Sequence, residues 1–369
     1  MHVLIATDAW RPQINGVVRT LESLAPQIGR HGSSVTFLTP DRFMTVPVPT
    51  YPGLRCAIPR KWEIVRLISA AGPDAIHIAT EGPIGLAVRS YCLSRGLPFT
   101  TSFTTRFAEY VSARVPVPTE WGYSALRWFH RPAAATMVST ESLRKELALR
   151  GFGRLRHWSR GVDTELFRPD RSVSLDLPRP IFMSMGRIAV EKNIEAFLEL
   201  DLPGSKVVIG HGPQEGELKR KYPGCHFLGA MTGELLASYL AAADVFVFSS
   251  LTDTFGIAQL EALASGVPVA AFPVTGPLDV IGDAPVGVLD EDLRRACLAA
   301  LSLPREACRA HALRYSWESS ARQFLGNLEP FRADALPSSA GDAEPIDDTD
   351  AAPASSSYWQ FSTDGRKSV

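Results

Sequence analysis

Short apolar runs alternate with amphipathic stretches along most of the chain, and this alternation limits the possible folds more than any other feature. His2–Thr7 predicts a strand, Val17–Arg30 a helix that Pro26 should kink or shorten, and Ser34–Thr39 a second strand. The pattern restarts at Ile181–Met185. Repeated strand–helix units favour parallel sheets with helices on both faces, so we predict an α/β protein with two doubly wound, Rossmann-like domains.

A segment without periodicity, Arg160–Pro180, separates the two series of units, and its prolines and glycines are typical of a linker. We predict five parts: an N-terminal domain at residues 1–165, a linker at 166–180, a C-terminal domain at 181–315, a helix at 316–331 that crosses back, and a disordered tail at 332–369. Ligands of such sheets bind at the carboxyl ends of the strands, so two facing domains predict a cleft for two substrates.

Charge is distributed unevenly. The net charge is −1, but residues 1–170 carry +8 and residues 171–331 carry −5. The basic part indicates an anionic partner, such as a phosphate group or an anionic membrane, unless the imbalance is a chance property of a solvated surface. Five scattered cysteines without a CxxC pair, no signal-like N-terminus and no run long enough to span a bilayer predict a cytoplasmic protein.

Two acidic residues, Asp253 and Glu261, are separated by seven residues across the start of a predicted helix. One carboxylate can accept hydrogen bonds from sugar hydroxyls and the other from ribose hydroxyls, while the amides of Thr254–Ile257 hold phosphate oxygens. The alternative is that Asp253 is an N-cap and Glu261 a surface charge. The small apolar residues around Glu261 place it near packed surface, where a carboxylate needs a partner.

Two cations, Arg187 and Lys192, follow the predicted strand Ile181–Met185 and the glycine Gly186. At the carboxyl end of a strand, two cations can neutralise a diphosphate leaving group. The structural alternative is a solvated basic turn before an ordinary helix.

Two glycine turns also follow predicted strands. Asn15 and Gly16 open the first helix, and Gly210-His-Gly212-Pro213 follows a later strand. Glycine lets the backbone approach a ligand closely, and helix amides favour phosphate. Neither turn is a GxGxxG motif, so a dinucleotide is not indicated, and each alone is also an ordinary turn.

In their order along the chain, the Asn15–Gly16 turn, the Gly186–Lys192 segment, the Gly210–Pro213 turn and the Asp253–Glu261 element resemble retaining glycosyltransferases of family four, which have the GT-B fold. The resemblance covers residues 1–330. Asp253-x7-Glu261 resembles the family's Glu-x7-Glu motif, with Asp in place of the first acid. Gly186-Arg-x4-Lys192 resembles its phosphate-binding pair. His77–Pro83 and Asn15–Thr20 resemble the branch that contains phosphatidylinositol mannosyltransferases and glycosyl-diacylglycerol synthases.

The resemblance implies a retaining hexosyltransferase that uses neither a cofactor nor a metal ion. Its catalytic residues would be Arg187 and Lys192, which bind the diphosphate, and Asp253, which contacts the transferred sugar. Glu261 would bind the ribose. The other implied donor-binding residues are Gly16, Gly186, Gly212, Thr254, Phe255 and Gly256.

One segment departs from the family. Thr104 stands where a histidine is usual, and Ala108 replaces a common proline. In the family that histidine lies near the donor sugar and the acceptor. Its absence therefore leaves three questions open: which acceptor is used, how fast the reaction is, and whether the chain is active. His130 or His77 could compensate. The acceptor-side candidates are Asn15, Thr104, Arg106 and Trp128.

Two DxD patterns bear on metal binding. Asp290-Glu-Asp292 is typical of a helix start, and Asp348-Thr-Asp350 lies in the predicted tail. We therefore expect protein cations to act in place of a metal ion.

Aromatic and basic residues interleave in the first domain, over Arg114–Arg131 and again at Arg60, Lys61, Trp62 and Arg66. A membrane interface favours this combination, although helical aromatics are often core residues. We predict that this domain binds anionic membranes peripherally, on the inner face of the cytoplasmic membrane. The expected partners are a UDP- or GDP-sugar donor and a lipid acceptor such as diacylglycerol or phosphatidylinositol, with no nucleic acid.

Three other functions stay open. The acceptor could be a polysaccharide or a soluble sugar. The chain could be a nucleotide-sugar 2-epimerase, a class that shares the GT-B fold and forms product without an acceptor. It could also be a non-catalytic nucleotide-sugar binder, for which Thr104 is the sequence argument.

Overall fold

The computed structural model describes residues 1–13, 15–47, 55–112 and 117–331. In this part of the chain, two six-stranded parallel sheets confirm the predicted α/β class with two Rossmann-like units. The strands of the N-terminal half are β1 (His2–Ala6), β2 (Ser34–Leu38), β3 (Thr45–Pro47), β4 (Arg55–Ala57), β5 (Ala75–Ile78), β6 (Thr100–Phe103), β7 (Ala135–Val138) and β8 (Leu155–His157). The first sheet has the order β2-β1-β5-β6-β7-β8, and β3 and β4 form a separate antiparallel pair that was not predicted.

The second sheet repeats this architecture with the order β11-β10-β9-β12-β13-β14. Its strands are β9 (Ile181–Met185), β10 (Ser205–Ile209), β11 (His226–Phe227), β12 (Val245–Phe248), β13 (Val269–Ala271) and β14 (Gly287–Leu289). In both sheets the central strands are buried on both faces, which explains why they appear in the sequence as continuous apolar runs and not as alternating ones.

Helices connect the strands. Those of the N-terminal half are α1 (Gly16–Arg30), α2 (Lys61–Ala71), α3 (Pro83–Arg95), α4 (Phe107–Ser112), α5 (Thr119–His130) and α6 (Glu141–Leu149). Those of the C-terminal half are α7 (Ile194–Leu198), α8 (Glu215–Lys221), α9 (Gly233–Ala241), α10 (Ile257–Ala264), α11 (Pro277–Val280), α12 (Leu293–Ala300), α13 (Arg305–Ala312) and α14 (Trp317–Asn327). Within the described residues, no helix has both the length and the apolar character needed to cross a membrane.

Of the two predicted effects of Pro26, shortening of the first helix does not occur, and a kink stays a prediction. Helix α1 continues past Pro26 to Arg30, because Leu24 and Ile28 on either side of the proline are fully buried. This packing outweighs the backbone hydrogen bond that proline cannot make.

The last helix returns to the first sheet. Phe324 of α14 packs in one apolar cluster with Ile5 and Leu21, and the indole of Trp158 donates a hydrogen bond to the Ser320 hydroxyl at 3.1 Å. Helix α14 therefore stabilises the N-terminal half. The predicted tail at 332–369 lies outside the described residues.

Candidate functional site

The loop after β9, residues 186–193, packs between the turn after β10 and the loop after β12. The Ile188 amide donates to the His211 carbonyl at 3.0 Å, and the hydroxyls of Ser250 and Thr252 donate to the Glu191 carbonyl at 3.3 and 3.1 Å. The carboxyl edge of a parallel sheet thus brings together the basic segment, the glycine turn and the acidic loop.

The glycines of the turn after β10 are required by close backbone packing. A Cβ at Gly210 would lie 1.8 Å from the Gly186 carbonyl oxygen, and one at Gly212 would lie 2.1 Å from the Ile188 carbonyl oxygen. The predicted donor residue Gly212 therefore has a packing role, and its contact with the donor stays a prediction.

Lys192 and Asp253 form an ion pair, with 2.5 Å between Nζ and Oδ1. Oδ2 of Asp253 is buried and has no hydrogen-bond partner in the described part of the chain. Burial would lower the pKa of Lys192, but the negative charges of Asp253 and Glu191 raise it. Lys192 is therefore a stable cation, while one oxygen of Asp253 can still accept a hydrogen bond.

One residue of the other domain lies beside this pair. Tyr110, on α4 of the N-terminal half, was not predicted. Burial first and the charge of Asp253 second raise its pKa to about 12, so it stays a neutral phenol next to the pair. Arg187 is partly buried and directly follows Gly186 at the end of β9.

The acidic loop also crosses to the first domain. Thr254 donates to the Thr104 carbonyl at 2.9 Å and accepts a hydrogen bond from the Ser139 hydroxyl at 2.9 Å. Phe255 is buried in the core of the C-terminal domain, and Gly256 adopts a left-handed conformation (φ +80°) just before α10. Thr254, which was predicted to bind phosphate, thus also joins the two domains.

Glu261 lies one to two turns into α10 and is only 5% exposed. Its Oε1 is 2.6 Å from Nη1 of Arg19, which belongs to α1 of the other domain. Oε2 is buried without a partner among the described residues. Burial raises the pKa of Glu261, and Arg19 acts against this rise. Sequence reasoning predicted Glu261 but missed Arg19, whose one signal was its place four residues after Asn15.

Asn15 is the N-cap of α1, since its Oδ1 accepts from the amides of Val17 and Val18 at 3.0 Å each. A Cβ on Gly16 would meet no atom within 4 Å, so space remains beside its backbone. Asn15 and Arg19 line a cavity of about 540 Å³ between the domains, and Glu261 lines its opposite wall. The first helix and α10 therefore share one cavity.

Neither histidine is placed to replace the one missing at Thr104. His77 is fully buried between Thr100 and Ser102, and burial, with the charges of Arg160 and His130, lowers its pKa to about 3. His130 is 4% exposed and bonded to Thr101 and Glu81. The suggestion that either one compensates is therefore not supported, because both are held inside the fold.

The acceptor-side candidates have different surroundings. Arg106 is buried and forms two hydrogen bonds with Glu146, at 2.6 and 2.8 Å, so its guanidinium is committed to joining α6 to the α4 segment. Trp128 is 58% exposed and lies 4.0 Å from the Arg89 guanidinium. Thr104 offers its carbonyl to Thr254, as described above.

The interleaved aromatic residues of α5 divide into two sets. Tyr123 and Phe129 are core residues, whereas Trp121 is 70% exposed and Trp128 is 58% exposed. On α2, Trp62 is 44% exposed beneath Arg66. Helices α2 and α5 both contact α3, and we call their exposed aromatic and basic residues the aromatic–basic surface; Arg114 lies outside the described residues. Its members are Arg60, Lys61, Trp62, Arg66, Trp121 and Trp128.

The first DxD pattern is structural. Asp292 caps α12 by accepting from the amides of Arg294 and Arg295, and Asp290 pairs with the Arg295 guanidinium. Asp348 and Asp350 lie outside the described residues. Asp292 thus acts as a helix cap, and Asp290 acts as the ion-pair partner of Arg295.

Two family models match the chain. One describes glycosyltransferase family 4 and matches residues 14–166; the other describes glycosyl transferases group 1 and matches residues 179–302. Together they cover most strands of both sheets. The matched ranges also contain four site residues, Arg19, Lys192, Asp253 and Glu261.

Curated relatives and solved structures agree with these matches. The chain is 28% identical to a GDP-mannose-dependent alpha-mannosyltransferase of Mycobacterium tuberculosis, over 90% of this chain and 97% of the relative. It is 25% identical to an alpha-monoglucosyldiacylglycerol synthase of Streptococcus pneumoniae, over 91% and 86%. A sucrose-phosphate synthase structure from Thermosynechococcus elongatus has the same fold, with a TM-score of 0.71, 20% identity, and coverage of 88% and 97%.

Proposed function

Because the chain belongs to glycosyltransferase family 4 and has the GT-B fold, we propose that it transfers a hexose from a UDP- or GDP-sugar to a lipid hydroxyl and that the hexose retains its anomeric configuration. Its donor is accordingly a nucleotide sugar. The observation that carries this proposal is the ion pair of Lys192 with Asp253, whose second carboxylate oxygen is unpaired among the described residues, just before the helix α10 that carries Glu261. A cation for the leaving phosphate, a free carboxylate oxygen for the sugar and another for the ribose are what such a donor requires.

Negative charge builds on the leaving phosphate as its bond to the sugar breaks. Lys192 and Arg187, at the end of β9, stabilise that charge, and the partly dry cleft strengthens the interaction. Oδ2 of Asp253 accepts a hydrogen bond from a hydroxyl of the transferred sugar. The acceptor hydroxyl attacks from the face that the phosphate leaves and gives its proton to that phosphate, so the anomeric configuration is kept.

A lipid acceptor is supported by two observations. The N-terminal part of the chain carries +8 and exposes Trp62, Trp121 and Trp128 beside basic residues, a combination that favours an anionic bilayer. Among the similar proteins, one is named as a synthase of a glucosylated diacylglycerol. The lipid hydroxyl would then enter from the first domain, while the nucleotide binds the second.

The test is a transfer assay that pairs radiolabelled UDP- and GDP-hexoses with a membrane lipid extract, followed by NMR of the anomeric linkage. We expect one labelled glycolipid with the donor's configuration. An inverted linkage would contradict retention, and efficient transfer to a water-soluble sugar alone would contradict the lipid acceptor. Sugar epimerised without an acceptor, or a donor bound but unchanged, would replace the proposed activity with an epimerase or a binding protein.

A further inference from the structure

The contact between Arg19 and Glu261 joins residues 242 positions apart and belonging to different domains. Glu261 is 6% exposed at its side chain, while Arg19 is 31% exposed. A carboxylate that is buried to this extent is costly unless it is paired, and the pairing here comes from the opposite domain. The charge state of Glu261 therefore depends on how the two domains are docked.

Glu261 has one oxygen occupied and one free. Arg19 takes Oε1 at 2.6 Å, and Oε2 is buried with no partner in the described part of the chain. Both residues line the interdomain cavity of about 540 Å³. An unpaired buried acceptor at a cavity wall is suited to a hydroxyl donor, because leaving it unpaired is unfavourable.

Other charged groups near Glu261 are engaged elsewhere. Arg11 pairs with Glu22, and Asp163 accepts amides of its own turn. On α13, which packs against α10, Arg305 and Arg309 donate to backbone carbonyls and His311 contacts the Val280 carbonyl. Arg19 is thus the cation that acts directly on this carboxylate.

We propose that Arg19 is a positioning residue that acts through Glu261: it holds the carboxylate ionised and oriented, so that Oε2 accepts a hydrogen bond from the nucleotide ribose only when the two domains are docked. This inference rests on the proposed function for its ligand. Its consequence is a linkage, since a nucleotide that needs the paired Glu261 also favours the closed cleft.

The test compares Arg19→Ala, Arg19→Lys and the control Arg30→Ala, which removes an exposed arginine from the far end of the same helix. Calorimetry measures the affinity for UDP and GDP between pH 5.5 and 8. Without Arg19, burial acts unopposed and Glu261 binds a proton at higher pH. A proton on the carboxylate removes the acceptor, so affinity is lost as the pH falls.

In Arg19→Ala we expect affinity at pH 5.5 to be about tenfold lower than at pH 8, which corresponds to about one pKa unit. The wild type and Arg30→Ala should change less than twofold. Arg19→Lys should restore most of the wild-type pH profile, which a role in folding alone would not require. Equal pH profiles in Arg19→Ala and Arg30→Ala would overturn the proposal.

Small-angle scattering of the nucleotide-free variants gives an independent result. We expect a larger radius of gyration for Arg19→Ala than for the wild type and Arg30→Ala, because one contact between the domains is lost. If neither nucleotide binds the wild type, the proposed function fails, and scattering still decides whether Arg19 joins the domains. An unchanged radius in Arg19→Ala would overturn that part.

Discussion

Each domain has an aspartate in a loop that follows a strand at the carboxyl edge of its sheet, and the two residues differ in their surroundings. Asp8 follows β1, and both of its carboxylate oxygens are hydrogen-bonded. They accept from the amides of Ile84 and Gly85 at 2.8 and 3.3 Å and from the Thr80 hydroxyl at 2.9 Å. Asp253 follows β12, pairs with Lys192, and keeps one buried oxygen without a partner in the described residues.

This difference is the one expected between a structural acid and the ligand-binding acid that we propose. Asp8 caps α3, and these hydrogen bonds are within its own domain. The unpaired oxygen of Asp253 is a cost to folding that a ligand can offset. The same architecture thus supports stability at one strand end and, in our proposal, chemistry at the other, and position in the fold alone does not decide which.

The largest effect is expected at Lys192. Lys192→Ala should lower turnover by about 10²-fold or more, because it removes a cation that stabilises charge in the transition state. Arg187→Ala should have a similar effect. Steady-state kinetics with a labelled donor measure both, with Lys206→Ala as the control, since Lys206 only contacts the carbonyls of Leu198 and Leu200. Wild-type turnover in both variants would remove them from the mechanism.

The two carboxylates of the second domain should differ in kind. Asp253→Asn should lower kcat by about tenfold or more with little change in nucleotide affinity, since its proposed role is to orient the sugar. Glu261→Gln should weaken UDP or GDP binding by about 10- to 150-fold, which corresponds to the roughly 1.5–3 kcal/mol typical of a hydrogen bond to a charged group. Calorimetry and kinetics together separate the two effects. Unchanged nucleotide affinity in Glu261→Gln would contradict the ribose role.

Asp8→Ala should act on stability and not on the donor site. Loss of the α3 cap and its buried hydrogen bonds should cost about 1–2 kcal/mol, visible as a lower midpoint in urea unfolding. Nucleotide affinity of the folded variant should match that of the wild type. A variant with normal stability and weakened nucleotide binding would reverse the contrast between the two aspartates.

The smallest effect is expected on the aromatic–basic surface. The double change Trp121→Ala and Trp128→Ala should reduce co-sedimentation with vesicles containing anionic lipid by a fewfold, while turnover with a detergent-dispersed acceptor is kept. Leu313→Ala, which removes an exposed apolar side chain from the other domain, is the control. Binding in all variants should weaken as salt rises. Equal binding to neutral and anionic vesicles would exclude this surface as an anionic membrane site.

Local features of the sequence were enough to predict most strands of the two parallel sheets, although β8, β14 and the β3–β4 pair were missed. The apolar runs at His2–Thr7 and Ile181–Met185 correspond to β1 and β9, since a central parallel strand buries both faces and must be apolar throughout. The loops that follow such strands lie at the carboxyl edge of the sheet, so the sequence pattern also places Lys192 and Asp253 in the same region. Which atoms pair there was not predictable from the pattern.

Periodicity failed where two environments give the same pattern. Tyr123 and Trp128 belong to one aromatic helix, yet the first is fully buried and the second mostly exposed. Arg106 was expected near an acceptor and instead binds Glu146, which lies 40 residues away. A sequence shows that a charged or aromatic side chain is present on a helix, but burial depends on which neighbouring element packs against it.

The preferences of neighbouring residues account for the alternation of strands and helices, the glycine turns and the presence of acids and cations at strand ends. The contacts of Arg19 with Glu261 and of Thr254 with Thr104 are of another kind and are visible only in the folded molecule. Those contacts join separate domains across the cleft. No local rule fixes them, since they depend on how two independently patterned sheets dock.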